Sequence, residues 1–161
     1  MRSREGGLKI ERDITVDAGP QDVYVYLADF ARHPEWSYPP HNLRLTPPAG
    51  VRVSATFESI GRDMGRDVLN KVTIREATPN ARLAYEAEMD DGQRWLNEIE
   101  LVPSGSGTKI TKRAVSTYLP PLKRLLYFVL GPMASSEGGK VIESDLQRIA
   151  THLTRGPRPT P

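Results

Sequence analysis

Apolar and polar residues alternate over much of the chain, and this pattern predicts an antiparallel sheet. Residues 8–17 form a first alternating run, and further runs follow from the middle of the chain onward. We expect the later strands near 51–60, 66–77, 82–90, 93–103 and 108–118, with a short strand around Leu43–Leu45. Turn-forming residues separate these runs, and the Asp91-Gly92 pair is a strong hairpin signal.

The same alternation assigns each strand residue to one of two faces. One face carries charges of both signs, including Arg94, Glu98 and Glu100, and we expect it to be solvated, with charges paired across strands. The opposite face is mainly apolar but carries polar residues as well. Its predicted members are Val68, Asn70, Val72, Ile74, Leu83, Tyr85, Ala87, Met89, Trp95, Asn97, Ile99, Leu101, Ile110, Lys112, Ala114, Ser116 and Tyr118.

Polar groups on an inner face need partners, because an unpaired polar group in a packed core costs about 1–3 kcal/mol. They could lie near strand ends and reach solvent, or bond to one another. For the set as a whole we favour a cavity, because a tightly curved sheet around one helix leaves space that small and polar residues do not fill.

Helical spacing predicts two short helices and one long one. Pro20 suits the first turn of a helix that continues through Asp29, and residues 30–36 form a second short turn. Pro120-Pro121 opens the last helix, which carries two apolar stripes that are out of phase on a straight helix. The stripes are Leu122, Leu125, Leu126 and Val129, and then Ile142, Leu146, Ile149 and Leu153. We therefore expect a bend or interruption around Gly131–Gly139.

Length and composition describe a globular α+β protein of one domain over residues 8–154, with flexible tails at 1–7 and 155–161. Of the 161 residues, 38% are hydrophobic and 26% are charged. The net charge is only +2 and no basic run is long, so no nucleic-acid partner is expected. The absence of cysteine excludes disulfides and thiolate chemistry and fits a cytoplasmic location.

The N-terminal part of the chain resembles a known family. The family commonly opens with a strand, an Ala-Pro-type turn, a helix with a Val-aromatic pair, an Asp and a Pro-x-Trp. The corresponding residues are Val16, Ala18, Pro20, Val23, Tyr24, Leu27, Asp29, Pro34 and Trp36, with Gly19 as a departure between Ala18 and Pro20. The chain thus resembles the START/Bet v 1-like (SRPBCC) superfamily, and within it the bacterial polyketide cyclase/dehydrase and lipid-transport group, over roughly residues 8–154.

The resemblance implies a helix-grip fold, in which a curved antiparallel sheet wraps around a long C-terminal helix and two short helices follow the first strand. It also implies a cavity between sheet and helix, but it assigns no catalytic residue. Together with the inner-face pattern, it leads us to expect a ligand-binding cavity. The predicted lining is drawn from Trp36, Phe57, Asn70, Tyr85, Trp95, Asn97, Lys112, Tyr118, Met133 and Glu137.

Lys112 is the most informative candidate among these residues. It could face the cavity and pair with a ligand carboxylate or with Glu137, or a bulge could send it to water. The three histidines, His33, His41 and His152, are far apart in sequence, and we expect them at the surface. Neither a metal site nor a cofactor is expected.

Two classes of function remain open. The first is the binding of an apolar or aromatic small molecule, lipid or polyketide-like, by a carrier, sensor or sequestering module. The alternative is a polyketide cyclase, aromatase or dehydratase, although the sequence offers no acid/base pair for it. An interaction module is a third class.

The longest apolar stretch, residues 125–130, is too short to span a membrane. Lys123-Arg124 beside it leaves contact with a membrane surface open, and a homodimer is left open as well.

Overall fold

The first strand, β1 (Lys9–Val16), leads into two short helices, α1 (Pro20–Ala28) and α2 (His33–Trp36), in the computed structural model, which describes residues 7–154. A 3₁₀ turn at Phe30–Arg32 separates the two helices. The remaining elements are β2 (Arg44–Leu45), β3 (Thr56–Asp63), β4 (Arg66–Thr78), β5 (Arg82–Met89), β6 (Arg94–Ser104), β7 (Gly107–Tyr118) and α3 (Pro121–Thr154).

The seven strands form one curved antiparallel sheet in the order β1-β7-β6-β5-β4-β3-β2. Each strand from β2 to β7 pairs with its neighbour in sequence, as the turn signals predict, and β1 closes against β7. Register shifts at Ile74/Glu76 and Arg94/Trp95 help the sheet to bend. One predicted strand begins later than expected, because residues 52–55 form a turn before β3.

The predicted faces of the strands are confirmed except at Tyr118, which is half exposed at the end of β7. Ile99 on β6 is 1% exposed, whereas its neighbour Glu98 lies on the outer face and pairs with Arg82 on β5. Arg75 and Glu86 form a similar pair across β4 and β5, with 2.6 Å between nitrogen and oxygen. The outer face therefore carries cross-strand ion pairs. The inner face is covered by α3 and the short helices. Of the two predicted tails, residues 1–6 and 155–161 lie outside the described part of the chain.

The predicted interruption of the last helix is wrong, because α3 runs without a break from Pro121 to Thr154. Pro132 lies inside it, and Gly131 precedes Pro132. A residue before proline normally avoids the helical region because its Cβ meets the proline ring. Glycine has no Cβ, so the helix can continue through this position.

The two stripes are out of phase because only the second one packs against the sheet. Ile142, Leu146 and Ile149 are buried, whereas the leucine stripe of the first half points away from the sheet. The exposed apolar side chains of this half are Leu122, Leu125, Leu126, Phe128, Val129, Leu130 and Met133. Within residues 7–154, none of the helices is long and apolar enough to cross a membrane.

The first half of α3 turns small residues toward the sheet, and this opens a space beneath it. Ala134 and Gly138 face the interior there, together with the larger Tyr127. Under the second half of α3, by contrast, Ile142, Leu146 and Ile149 pack with the inner faces of the strands and with α1. The core is thus closely packed under the second half of α3, whereas a cavity lies under the first half.

Candidate functional site

A cavity of about 490 Å³ lies between the first half of α3, the loop after α2 and the inner faces of the strands. This volume is within the range of about 300–1,000 Å³ that is typical of small-molecule sites. Most of its wall is apolar. Apolar lining residues include Leu8, Ile10, Phe30, Leu43, Leu45, Phe57, Val68, Val72, Ala87, Met89, Ala114, Ala134, Val141 and Ile142.

Eight of the ten residues predicted from the sequence lie in this wall. They are Trp36, Phe57, Asn70, Tyr85, Trp95, Asn97, Lys112 and Glu137. Tyr118 and Met133 lie outside it, which corrects the prediction for these two positions. Tyr118 is at the end of β7, half exposed, in a separate surface depression, and Met133 is on the outward side of α3.

Lys112 faces the interior, and its partner is Asp145 on α3. The two side chains form a buried ion pair, with Lys112 donating to Oδ2 of Asp145. Lys112 is 5% exposed and Asp145 is 4% exposed, so both charges are removed from water. Glu137, which the sequence offered as one possible partner of Lys112, does not pair with it. Glu137 is an exposed residue at the cavity rim and pairs with Lys140, 2.7 Å away.

The indole of Trp36 supports the buried ammonium. Lys112 Nζ lies 5.0 Å from the centroid of the Trp36 ring, a distance at which the negative face of the ring attracts the cation. Trp36 is at the end of α2, where the helix places it against α3 and the sheet. The Pro-x-Trp segment therefore contributes one wall of the polar end of the cavity, which is the end that holds Lys112 and Asp145.

His33 is buried, and the expectation of a surface histidine is wrong for this residue. It is 3% exposed, and its Nε2 donates a hydrogen bond of 2.8 Å to the carbonyl oxygen of Leu27. Burial lowers the pKa of His33 to about 3, the hydrogen bond to Leu27 opposes this shift, and the Lys112 ammonium adds to it. The imidazole is therefore neutral at pH 7.

His41 and Tyr85 line the same end of the cavity. The pKa of His41 is lowered by burial, while the Asp145 carboxylate acts against this shift and the Lys112 ammonium reinforces it. Burial also raises the pKa of the Tyr85 phenol, with a further contribution from Asp145. Asp145 thus acts on both groups, and burial favours the uncharged form of each.

Gln93 is a further buried polar residue in the wall, at the turn between β5 and β6. Its side-chain oxygen accepts a 3.3 Å hydrogen bond from the indole Nε1 of Trp95. Its Nε2 lies 3.2 Å from the sulfur of Met89 and donates to it. Gln93 thus fixes the orientation of Trp95, whose ring lines the cavity and meets the ring of Tyr127 on α3 edge to face, with 6.4 Å between the ring centroids.

Three buried polar atoms at this site have no hydrogen-bond partner in the described part of the chain. They are Oδ1 of Asp145, Oδ1 of Asn70 and Nε1 of Trp36. The other amide atom of Asn70, Nδ2, donates to the carbonyl oxygen of Val68 at 3.2 Å. All three residues line the cavity, so its wall contains two unpaired acceptors and one unpaired donor.

Sequence reasoning missed Asp145, His33 and Gln93. Asp145 had a signal, because it falls three residues after Ile142 and four before Ile149, on the buried stripe of α3. An acidic residue on an apolar stripe indicates a buried partner, and Lys112 was the cation without one. His33 begins the single-turn helix α2 and Gln93 lies in the turn between β5 and β6, and in such short segments the pattern of the chain does not separate buried from exposed positions.

A family model described as polyketide cyclase/dehydrase and lipid transport matches residues 7–154. The chain belongs to this family. The match covers every element of the fold, including all of α3. A comparison with curated proteins finds no significant match.

Solved structures of similar fold come from several bacteria. TTHA0849 from Thermus thermophilus is 16% identical with a TM-score of 0.70, over 93% of this chain and 99% of that one. A Rhodobacter sphaeroides protein is 20% identical with a TM-score of 0.68, over 93% and 94% of the two chains. DynU16, a protein of the dynemicin biosynthetic locus, is 15% identical with a TM-score of 0.64, over 92% of this chain and 48% of that one. At these identities the likeness shows the helix-grip fold.

The cavity offers a ligand apolar contact and hydrogen bonding. Within residues 7–154, no three His, Asp or Glu side chains are arranged to hold a metal ion. The buried charges of Lys112 and Asp145 neutralise each other, and the unpaired polar atoms are one carboxylate oxygen of Asp145, the amide oxygen of Asn70 and the indole N–H of Trp36.

Proposed function

We propose that this member of the polyketide cyclase/dehydrase and lipid transport family binds an apolar or aromatic small molecule in the cavity beneath α3. It would act as a carrier, sensor or sequestering module. The observation that carries this proposal is the 490 Å³ cavity, whose mainly apolar wall ends in a few buried polar groups. Sites of this composition take up ligands by burying apolar surface, while the polar groups orient one end.

The experiment is a titration with an apolar dye whose fluorescence rises in a nonpolar environment. Ala134→Phe places an aromatic ring in the cavity from the side of α3, because Ala134 lies in its wall. We expect dye affinity to fall about tenfold or more, since the ring takes the place of the ligand. Ala87→Phe fills the same space from β5 and should have the same effect.

The matched control is Ser136→Phe, two residues further along α3, where the side chain is exposed to solvent. It adds the same ring without entering the cavity, so dye affinity should stay as in the wild type. This control is needed because the first half of α3 carries exposed apolar side chains that could attract a dye. Equal binding by Ala134→Phe and Ser136→Phe would place the dye outside the cavity and contradict the proposal.

The polar end of the cavity also favours a second candidate, a cyclase, aromatase or dehydratase of polyketide type. Lys112, Asp145, His41 and Tyr85 lie at this end, and acid/base catalysis needs such groups within hydrogen-bond reach of the substrate. The test is to incubate the protein with a soluble poly-β-ketone and follow product by mass spectrometry. An enzyme accelerates cyclisation or loss of water, and Asp145→Asn reduces that rate; a binding protein returns the compound unchanged.

A further inference from the structure

The polar end of the cavity holds hydrogen-bonding atoms that the described residues leave unpaired. Oδ1 of Asp145 and Oδ1 of Asn70 are acceptors, and Nε1 of Trp36 is a donor. Their residues are at least nine-tenths buried, and all three line the cavity. Buried polar atoms in folded proteins almost always have a partner. A ligand that fills the cavity can supply partners for these atoms.

The charge balance of this end restricts what that group can be. Two cations line the cavity, and both already have a carboxylate partner: Lys112 donates to Asp145 and lies over the Trp36 ring, and the half-exposed Arg62 pairs with Asp67 at 3.4 Å. His33 is neutral at pH 7, and the pKa of His41 is lowered as well. A ligand carboxylate would lose its hydration and meet the Asp145 carboxylate without gaining a free cation.

A hydroxyl group matches the unpaired atoms, because it can donate one hydrogen bond and accept another. Resting on the proposed function, we propose that the cavity selects an uncharged apolar molecule that carries a hydroxyl group, a phenol or an alcohol, and binds that hydroxyl through Asp145. The hydroxyl donates to Oδ1 of Asp145 and can accept from Nε1 of Trp36. Asn70 offers a second acceptor for a ligand with a further hydroxyl.

The test compares three naphthalene derivatives of similar size in displacing the apolar dye at pH 7. They are 2-naphthol, with a neutral hydroxyl, 2-naphthoate, with a carboxylate, and 2-methylnaphthalene, which has no polar group. We expect 2-naphthol to bind about tenfold or more tightly than 2-methylnaphthalene, since its hydroxyl pairs a buried oxygen. We expect 2-naphthoate to be the weakest of the three.

Asp145→Asn is the decisive variant, because it removes the negative charge and leaves Lys112 without a carboxylate partner. We expect 2-naphthoate to become the tightest binder of the three. Its affinity should rise about tenfold or more above its affinity for the wild type. The control is Glu143→Gln, also on α3, whose carboxylate is exposed and pairs with Arg12 outside the cavity. It should leave the wild-type order unchanged.

A second variant guards against misfolding of Asp145→Asn. Replacing the pair together, Lys112→Met with Asp145→Leu, removes both buried charges and keeps an apolar wall. This double variant should bind 2-naphthol and 2-methylnaphthalene with similar affinity, because the oxygen that accepts the hydroxyl is gone.

The outcomes separate the inference from the proposed function. If the wild type takes up no dye, the proposed function fails and the inference fails with it. If the dye binds but 2-naphthol is no better than 2-methylnaphthalene, or 2-naphthoate is as good as 2-naphthol, the inference alone is overturned. The inference is supported if Asp145→Asn gains affinity for 2-naphthoate, the double variant loses the preference for 2-naphthol, and Glu143→Gln keeps the wild-type order.

Discussion

At the scale of single residues, the ion pair of Lys112 and Asp145 makes each partner depend on the other. Both charges are buried in a mainly apolar wall, so removing one leaves the other without compensation. The cost of such a removal is about 3–5 kcal/mol, whereas replacing both partners by apolar residues is often neutral. The pair therefore serves the polarity of the cavity more than the stability of the fold.

We predict that Lys112→Met lowers the free energy of unfolding by about 3–5 kcal/mol, because Asp145 is left buried and unpaired. Adding Asp145→Leu to the same chain should restore most of this loss. Urea denaturation followed by circular dichroism measures both variants. If the double variant is no more stable than Lys112→Met alone, the coupling between the two residues is refuted.

His33 makes the stability of the fold depend on pH. Its pKa is about 3 in the folded protein, against about 6.5 in an unfolded chain. Below pH 6.5 the imidazole of His33 therefore binds a proton in the unfolded state but stays neutral in the folded state. This contribution to stability is fully present above pH 6.5 and is lost progressively as the pH falls toward 3.

We predict that His33→Gln flattens the pH dependence of stability between pH 5 and 6.5. One proton changes the slope by about 1.4 kcal/mol per pH unit, and the variant should lose most of that change. His41 also has a lowered pKa, so some dependence should remain. Urea midpoints at several pH values provide the measurement, and parallel curves for variant and wild type would contradict the assignment.

At the scale of elements, the hairpins could be predicted from sequence because their signals are local. Alternation fixes the face of each strand residue, and a glycine such as Gly92, with φ of +85°, marks the turn. The long helix could not be predicted in the same way. Its leucine stripe indicates a buried face, yet the stripe is exposed, and the buried face begins with Ala134 and Gly138.

The two adjacent glycines of α3 have different neighbours in β1, and this predicts different effects of substitution. A Cβ at Gly138 would overlap the buried side chain of Ile10, whereas one at Gly139 would meet the end of the exposed Arg12 side chain. Both changes to alanine gain about 1 kcal/mol of helix propensity. Overpacking against Ile10 at Gly138 costs about 1–3 kcal/mol. At Gly139 this cost is avoided, because the exposed Arg12 side chain can move aside.

We therefore expect Gly139→Ala to be as stable as the wild type or more stable, and Gly138→Ala to be about 1–3 kcal/mol less stable than Gly139→Ala. Thermal or urea unfolding of the two variants side by side is sufficient, because the propensity gain is common to both. Equal stability of the two variants would mean that α3 does not approach β1 as closely as described.

At the scale of the whole molecule, the fold combines a packed end and a hollow end under one helix. Sequence pattern predicted the sheet, the covering helix and eight residues of the cavity wall. It did not predict that Asp145 is the partner of Lys112. The two residues lie far apart in sequence, on α3 and β7, and they meet only because of how α3 is positioned over the sheet. The polarity of the site thus comes from tertiary packing.

The two tryptophans of the chain provide a direct measurement of where a ligand binds. Trp36 and Trp95 both line the cavity, and their indole N–H groups give separate signals in a ¹H–¹⁵N spectrum. Titration with 2-naphthol should shift both signals, saturate at one ligand per protein, and leave the amides of Leu125, Leu126 and Val129 unchanged. Shifts confined to those exposed positions of α3, with both indole signals unmoved, would show surface binding and contradict the cavity as the ligand site.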